Sequence, residues 1–268
     1  MTVAVLGAGV MGETVVSGLL RAGRPAADLL VTARRSARGV ELRERYGVEV
    51  ATNTEAAAKA DTLMLVVKPQ DMPDLLDEIA PAVHAGQLVI SLAAGITTET
   101  IESRLPQGVA VVRVMPNTPA LVDEGMAAIS RGTHCDERHL AEAEELMGAT
   151  GRVIRVPEKQ QDAVTAISGT GPAYLFFVVE AMIEAGVHLG LPRSTATELV
   201  IQTMVGSAKL LRETGEHPTV LRERVTSPGG TTAAAIRELE DHKVRAAFMV
   251  ALESARDRSR ALARGEDL

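Results

Sequence analysis

The sequence predicts an α/β chain in two parts, a doubly wound open sheet over residues 1–157 followed by an all-helical domain over residues 158–268. Three observations lead there. Short β-rich runs alternate with segments of helical spacing through the first part, a glycine loop joins the first strand to the first helix, and strand signals stop after Pro157.

The predicted strands cover residues 3–6, 29–32, 62–67, 88–92, 110–114, 126–130 and 152–156. Several are apolar throughout, as strands buried on both faces of a parallel sheet must be. Helical spacing fills intervening segments such as 12–21, 38–46 and 72–79, and strand–helix alternation of this kind makes βαβ units. Beyond Pro157 the spacing predicts successive helices over 160–167, 172–189, 192–213, 219–224, 231–239 and 243–263. Pro172 and Pro192 fall where a first helical turn begins, the position that tolerates proline. Residues 173–179 are apolar on every side, so that helix lacks a solvent-facing stripe. Burial against a second subunit would resolve this, and so would a central place in a monomeric helical bundle.

Composition narrows the function classes. A net charge of −7 and only five aromatic residues, none of them Trp, supply neither the basic footprint nor the stacking platforms of a nucleic-acid surface. A single cysteine, Cys135, rules out an intrachain disulfide framework. Residues 1–6 carry no basic region before their apolar run, and glycines interrupt it at once, so neither a signal peptide nor a membrane span is expected. The apolar stretch 173–179 is also too short to cross a bilayer, and the expected location is the cytoplasm. The six histidines show no metal-binding spacing, and neither a G-x-S-x-G elbow nor a G-K-S/T phosphate loop is present.

Gly7-Ala8-Gly9-Val10-Met11-Gly12 lies between an apolar strand and a helix, the context that turns a weak glycine pattern into a dinucleotide-binding fingerprint. Gly7 permits the turn, Gly9 lets the backbone approach a pyrophosphate, and Gly12 lets helix and strand pack closely. The helix N-terminus, with the amides of Val10 and Met11, offers free N–H groups to the phosphates. This makes the sheet Rossmann-type. An NAD site usually ends its second strand with an acid, and here Ala33-Arg34-Arg35-Ser36 stands there instead. Two guanidiniums and a hydroxyl suit a 2′-phosphate, which favours NADPH with NADH still open. A solvated basic turn reads the same way.

Further rim residues extend the candidate cofactor site. Val67, Lys68 and Pro69 end a central strand near the crevice where open α/β sheets bind ligands. Ala93 and Ala94 are small enough to let a nicotinamide ring approach the backbone, and Asn117 could bond its carboxamide or the substrate. Ser168-Gly169-Thr170-Gly171-Pro172 reads as an N-cap introducing the apolar helix, with Ser168 or Thr170 as the capping residue. Ser227-Pro228-Gly229-Gly230-Thr231-Thr232 cannot form regular structure until a helix starts at Thr231, which leaves N–H groups free to seat a carboxylate.

Together with the glycine loop, Val66-Val67-Lys68-Pro69, Ser168-Gly169-Thr170-Gly171-Pro172-Ala173-Tyr174 and Ser227-Pro228-Gly229-Gly230-Thr231-Thr232 closely resemble pyrroline-5-carboxylate reductases in order and spacing. Asp162-Ala163-Val164-Thr165 fits the same pattern, and Thr170 replaces the serine usual in that family. The resemblance covers nearly the whole chain. It implies NADPH-dependent reduction of 1-pyrroline-5-carboxylate to proline, dimers built from the helical domain and often decamers of those dimers. On this reading Ser227, Gly229, Gly230, Thr231 and Thr232 bind substrate, and the Thr232 hydroxyl serves the imine nitrogen. Asn53 resembles a family position that contacts the adenosine half of the cofactor, although an Asx turn would explain it as well. Two other readings stay open. One is another NADP-linked dehydrogenase of the same architecture, acting on β-hydroxyacids or a different imine, although the lysine that the hydroxyacid enzymes carry on the helix entering the second domain is missing here. The other is a non-catalytic dinucleotide sensor.

Overall fold

The computed structural model describes residues 1–264 and 266. Eight strands form one sheet: β1 (Val3–Leu6), β2 (Leu29–Thr32), β3 (Glu49–Val50), β4 (Thr62–Leu65), β5 (Leu88–Ser91), β6 (Ala110–Met115), β7 (Gly125–Arg131) and β8 (Gly151–Arg155). Their order is β3-β2-β1-β4-β5-β6-β7-β8, a doubly wound arrangement with β1 and β4 adjacent where the winding reverses. All pairs are parallel except β6 with β7, which is antiparallel, so the expectation of parallel strands fails there. The chain crosses from β6 to β7 through one short 3-10 turn, Thr118–Val122, too short for the crossover that a parallel neighbour needs. The two-residue edge strand β3 escaped the sequence pattern because both of its residues are exposed.

The helices of this part are α1 (Val10–Arg21), α2 (Ser36–Tyr46), α3 (Asn53–Lys59), α4 (Met72–Ile79), α5 (Thr98–Glu102) and α6 (Glu137–Gly148). The two-residue period of the strands decides which face each covers. Val3, Val5, Leu29, Val31, Met64 and Ile90 pack with Val15 and Val16 of α1, Leu42 of α2 and Leu146 of α6. Their alternates Ala4, Leu6, Leu30, Leu63, Leu65 and Val89 pack with Ala56 of α3, Leu76 of α4 and Ile101 of α5. Because both faces are covered, strands β1, β2, β4 and β5 are buried at every position.

The second half is helical, as expected: α7 (Gln161–Val164), α8 (Gly171–His188), α9 (Arg193–Thr214), α10 (Pro218–Arg224), α11 (Thr231–Asp241) and α12 (Val244–Ala263). Compact units divide elsewhere than at residue 157. Residues 1–170 group with the chain from Ala255 onward, and Gly171–Ser254 forms the other unit. The segment after β8 stays with the sheet because Gln161 Nε2 donates to Ala128 O at 3.2 Å and to Ser130 Oγ at 2.8 Å. Ser259 Oγ of α12 donates to Asp162 Oδ1 at 2.8 Å.

Between α7 and α8 the chain takes one π-helical turn, Thr165–Gly169. The expected N-cap by Ser168 or Thr170 is absent. Ser168 Oγ donates to Val164 O at 3.2 Å and Thr170 Oγ1 to Thr165 O at 3.0 Å, where Thr170 N also donates at 2.8 Å, so both hydroxyls serve carbonyls of the turn rather than amides. The helix therefore continues, and the run Glu158–His188, at mean hydropathy 1.4, is long and apolar enough to cross a membrane by length and composition. The sequence pattern read this run as two helices, 160–167 and 172–189, and as apolar on every side only over 173–179.

Unit Gly171–Ser254 has almost no interior of its own: Pro172 and Ala196 are its buried residues. Phe176 is 67% exposed and Phe177 72%, with Leu175, Met182, Leu199, Ile201 and Val205 also exposed. The expectation of a helix that cannot be enclosed by its own domain holds for the single chain, and the central-helix alternative does not.

Candidate active site

The glycine loop follows β1 and opens α1. Gly7 takes φ +99°, and a Cβ there would come within 2.6 Å of Val66 O, so glycine is required on both counts. At Gly12 a Cβ would lie 2.4 Å from Gly7 O, so the third glycine holds the helix against the turn. At Gly9 an added Cβ would meet nothing within 4 Å, because its side faces an open cleft of about 1060 Å³. No side chain caps α1 at Gly9, which leaves the amides of its first turn open to an anion. An uncapped helix start beside a cleft that a Cβ would invade fits a pyrophosphate.

The same cleft is lined by Gly7, Gly9, Val10, Arg34, Arg35, Asn53, Val67 and Lys68 of the expected site. Arg34, Arg35 and Lys68 are exposed, and none of the three side chains has a hydrogen-bond or ion-pair partner among the described residues. Two uncommitted guanidiniums just past β2 are what a 2′-phosphate would need. Ser36 is the exposed first residue of α2, and Asp28 closes a 3-10 turn before β2, away from the position of an NAD-type acid. Asn53 makes no Asx turn. It is the first residue of α3, behind the Thr52–Glu55 capping box, and its Nδ2 donates to Glu78 Oε2 at 2.9 Å.

Met11, Gly12, Ser36, Pro69, Ala93, Ala94 and Asn117 do not line this cleft. Ala93 is buried and Ala94 half-buried just past β5, and Pro69 is exposed at the start of a 3-10 turn. Asn117, expected to meet nicotinamide or substrate, instead braces the fold. Its Oδ1 accepts from Met126 N at 2.8 Å, and its Nδ2 donates to Ser168 O in the π turn at 3.1 Å. Gly169 in the same turn accommodates Met115, whose Cε would lie 2.3 Å from a Cβ.

Sequence reasoning missed the acids of the cleft. Asp71, Asp74 and Glu78 line it, and their spacing alone puts them on one face of the 3-10 turn and α4. Glu13 and Arg38 also line it and pair with each other. Burial would push the Glu13 carboxyl up, but hydrogen bonds from Arg38, Tyr46 and Arg45 outweigh that and hold it below the ordinary range. Nothing in the sequence announces this pairing, because the partners stand on two helices and show no shared period.

In the other unit, Ser227-Pro228-Gly229-Gly230 forms a tight turn in which Gly230 N donates to Ser227 O at 3.0 Å. Proline second and Gly229 third, at φ +70°, match a type II turn. A Cβ on Gly230 would lie 2.4 Å from Ser227 Oγ, which can rotate away, and 3.1 Å from Ser227 O, so the turn leaves little room there. Gly230 is then the N-cap of α11 without a side-chain cap, and Thr231 and Thr232 occupy its first two helical positions. The amides of that first turn are open to a carboxylate, with the exposed Ser227 and half-buried Thr232 hydroxyls beside them in sequence.

Comparison with known proteins agrees with both halves. The family described as pyrroline-5-carboxylate reductase dimerisation matches residues 158–262, and that described as NADP oxidoreductase, coenzyme F420-dependent, matches residues 2–95. A pyrroline-5-carboxylate reductase of Corynebacterium melassecola is 46% identical, over 97% of this chain and 98% of that protein. Among solved structures, a pyrroline-5-carboxylate reductase from Coxiella burnetii superposes with a TM-score of 0.93 at 37% identity, covering 100% of this chain and 99% of that one. A Plasmodium falciparum pyrroline carboxylate reductase with NADP bound gives a TM-score of 0.88 at 28% identity, over 98% of each chain. With a relative of this identity along almost its full length, the chain belongs to the pyrroline-5-carboxylate reductase family.

Proposed function

We propose that this protein is a pyrroline-5-carboxylate reductase that converts 1-pyrroline-5-carboxylate to L-proline with NADPH, the last step of proline biosynthesis. The observation that carries the reading is the full-length likeness to reductases of that name, joined to a fingerprint loop whose open Gly9 side faces the cleft. When bound, NADPH supplies the hydride. The chain's own residues then have three tasks. The first-turn amides of α1 hold the pyrophosphate, while Arg34 and Arg35 take the 2′-phosphate and leave NADH as the poorer cofactor. Gly229, Gly230 and Thr231 offer backbone, and Ser227 a hydroxyl, to the substrate carboxylate. The Thr232 hydroxyl hydrogen-bonds and orients the imine nitrogen; as a weak acid it passes on a proton from water rather than supplying one itself.

The protein acts as a homo-oligomer, and the exposed apolar faces of α8 and α9 are the reading's natural dimer contact. That contact also accounts for the apolar run Glu158–His188 without a bilayer. Assembly of dimers into decamers and a cytoplasmic location complete the proposal. The direct test is NADPH consumption monitored at 340 nm with 1-pyrroline-5-carboxylate as substrate and proline as product. Cofactor binding without turnover would replace the reductase by a dinucleotide sensor.

A further inference from the structure

Glu13 stands in the first turn of α1, directly after Gly12, and collects three donors from α2. Its Oε2 accepts from the Arg38 guanidinium, and its Oε1 accepts from Arg45 Nη1 at 2.7 Å and from the Tyr46 hydroxyl at 2.8 Å. Each of the three guanidinium nitrogens of Arg38 has an acceptor in turn. Its Nη1 lies 2.8 Å from Glu41 Oε2, and its Nε donates to the carbonyl of Ala8, inside the glycine loop, at 3.2 Å. The side chains of Glu13 and Arg38 are each 20% exposed, so water screens the pair only in part.

We propose that Arg38 is a positioning residue for the dinucleotide: its fork ties Ala8 of the glycine loop to Glu13 of α1 and thereby presets the pyrophosphate seat, without reading the 2′-phosphate. The inference rests on the reading of this cleft as the cofactor site. All three guanidinium nitrogens already have acceptors, and two carboxylates offset the charge, so little is left for a phosphate. Arg34 and Arg35 carry no such partners. A loop fixed before binding loses less freedom when the ligand arrives, and this gain goes to NADPH and NADH alike because both carry the pyrophosphate.

The experiment measures the Kd of the full-length protein for NADPH and NADH by cofactor fluorescence, and hydrogen exchange of the loop amides without cofactor. Arg38→Met should weaken both cofactors by the same factor, about tenfold, the scale of one charge-assisted hydrogen bond, and should speed exchange at Ala8 and Gly9, whose amides donate to Thr32 O and Gly7 O. Arg38→Lys keeps the charge without the fork and should bind both as poorly. Glu13→Gln should show the same pattern more weakly, which keeps the test open should Arg38→Met not fold. Loss of NADPH affinity alone would make Arg38 a reader of the 2′-phosphate and overturn the proposal. Unchanged affinity and exchange would overturn it too. Failure of the unmodified protein to bind either cofactor would instead refute the reading of the cleft.

Discussion

Replacing Gly9 and Gly12 by alanine, one at a time, separates two tasks that the loop combines. At Gly12 the new Cβ would lie 2.4 Å from Gly7 O and 3.4 Å from Val5 Cγ1. The first distance is about 1 Å inside the roughly 3.5 Å of ordinary contact, and the struck atom is backbone, which cannot swing away. Overpacking of this kind costs about 1–3 kcal/mol, and the rigid neighbour argues for the upper end. For a chain of this size about 3 kcal/mol corresponds to a fall in Tm of roughly 6–12 °C. At Gly9 the Cβ would enter open space, and φ is −74°, so no backbone strain arises. Stability should stay within about 0.5 kcal/mol. The methyl group would instead hold the pyrophosphate off the first-turn amides. Losing one charge-assisted hydrogen bond there, about 1.5–3 kcal/mol, would weaken NADPH by roughly 10–100-fold. Thermal melts and NADPH fluorescence titrations on the three proteins read both effects. Wild-type affinity in a folded Gly9→Ala protein would remove the pyrophosphate from this loop, and a wild-type melt for Gly12→Ala would refute the packing argument.

Three further predictions concern the remaining parts of the site. The double variant Arg34→Ala/Arg35→Ala should lose NADPH affinity by about a hundredfold or more while NADH is nearly unaffected, since each of the two phosphate contacts contributes about 1.5 kcal/mol or more; equal losses refute the assignment. Phe176→Glu should give monomers or aggregates in light scattering, because an unpaired charge would be buried in the subunit contact. An unchanged oligomer would show that the exposed face of α8 lies outside the interface. Thr232→Ala should lower kcat/KM by about 10²–10⁴ with NADPH affinity intact, and Thr232→Ser should keep much of the activity; full turnover in a folded Thr232→Ala protein removes this hydroxyl from the mechanism.

Much of the fold was legible because its signals are local. β1 and β2 match their predicted bounds, and α4 runs over the predicted 72–79, since apolar strands and amphipathic spacing are written within a few consecutive residues. The glycine loop was legible for the same reason: Gly7, Gly9 and Gly12 answer to sterics within one turn. Much of what escaped depends on partners far apart in the chain, as the Glu13–Arg38 pair does, but helix α6 escaped although its start is local. Asp136, the N-cap of α6, is visible once its capping box with His139 is drawn, yet the helix it starts was not singled out.

The sequence by itself determined the winding of the sheet, the place of the glycine loop, the absence of an acid after β2 and the Ser227–Gly230 turn before α11. Tertiary structure decided the rest. It turned β7 against β6 because the connection is short, and bound Asn117 to Met126 N and Ser168 O. It set Ser168 and Thr170 to work on carbonyls, and joined Glu13 to Arg38 across two helices. A polar side chain takes whichever partner packing brings within about 3 Å, and that choice is made between segments that share no period in the sequence.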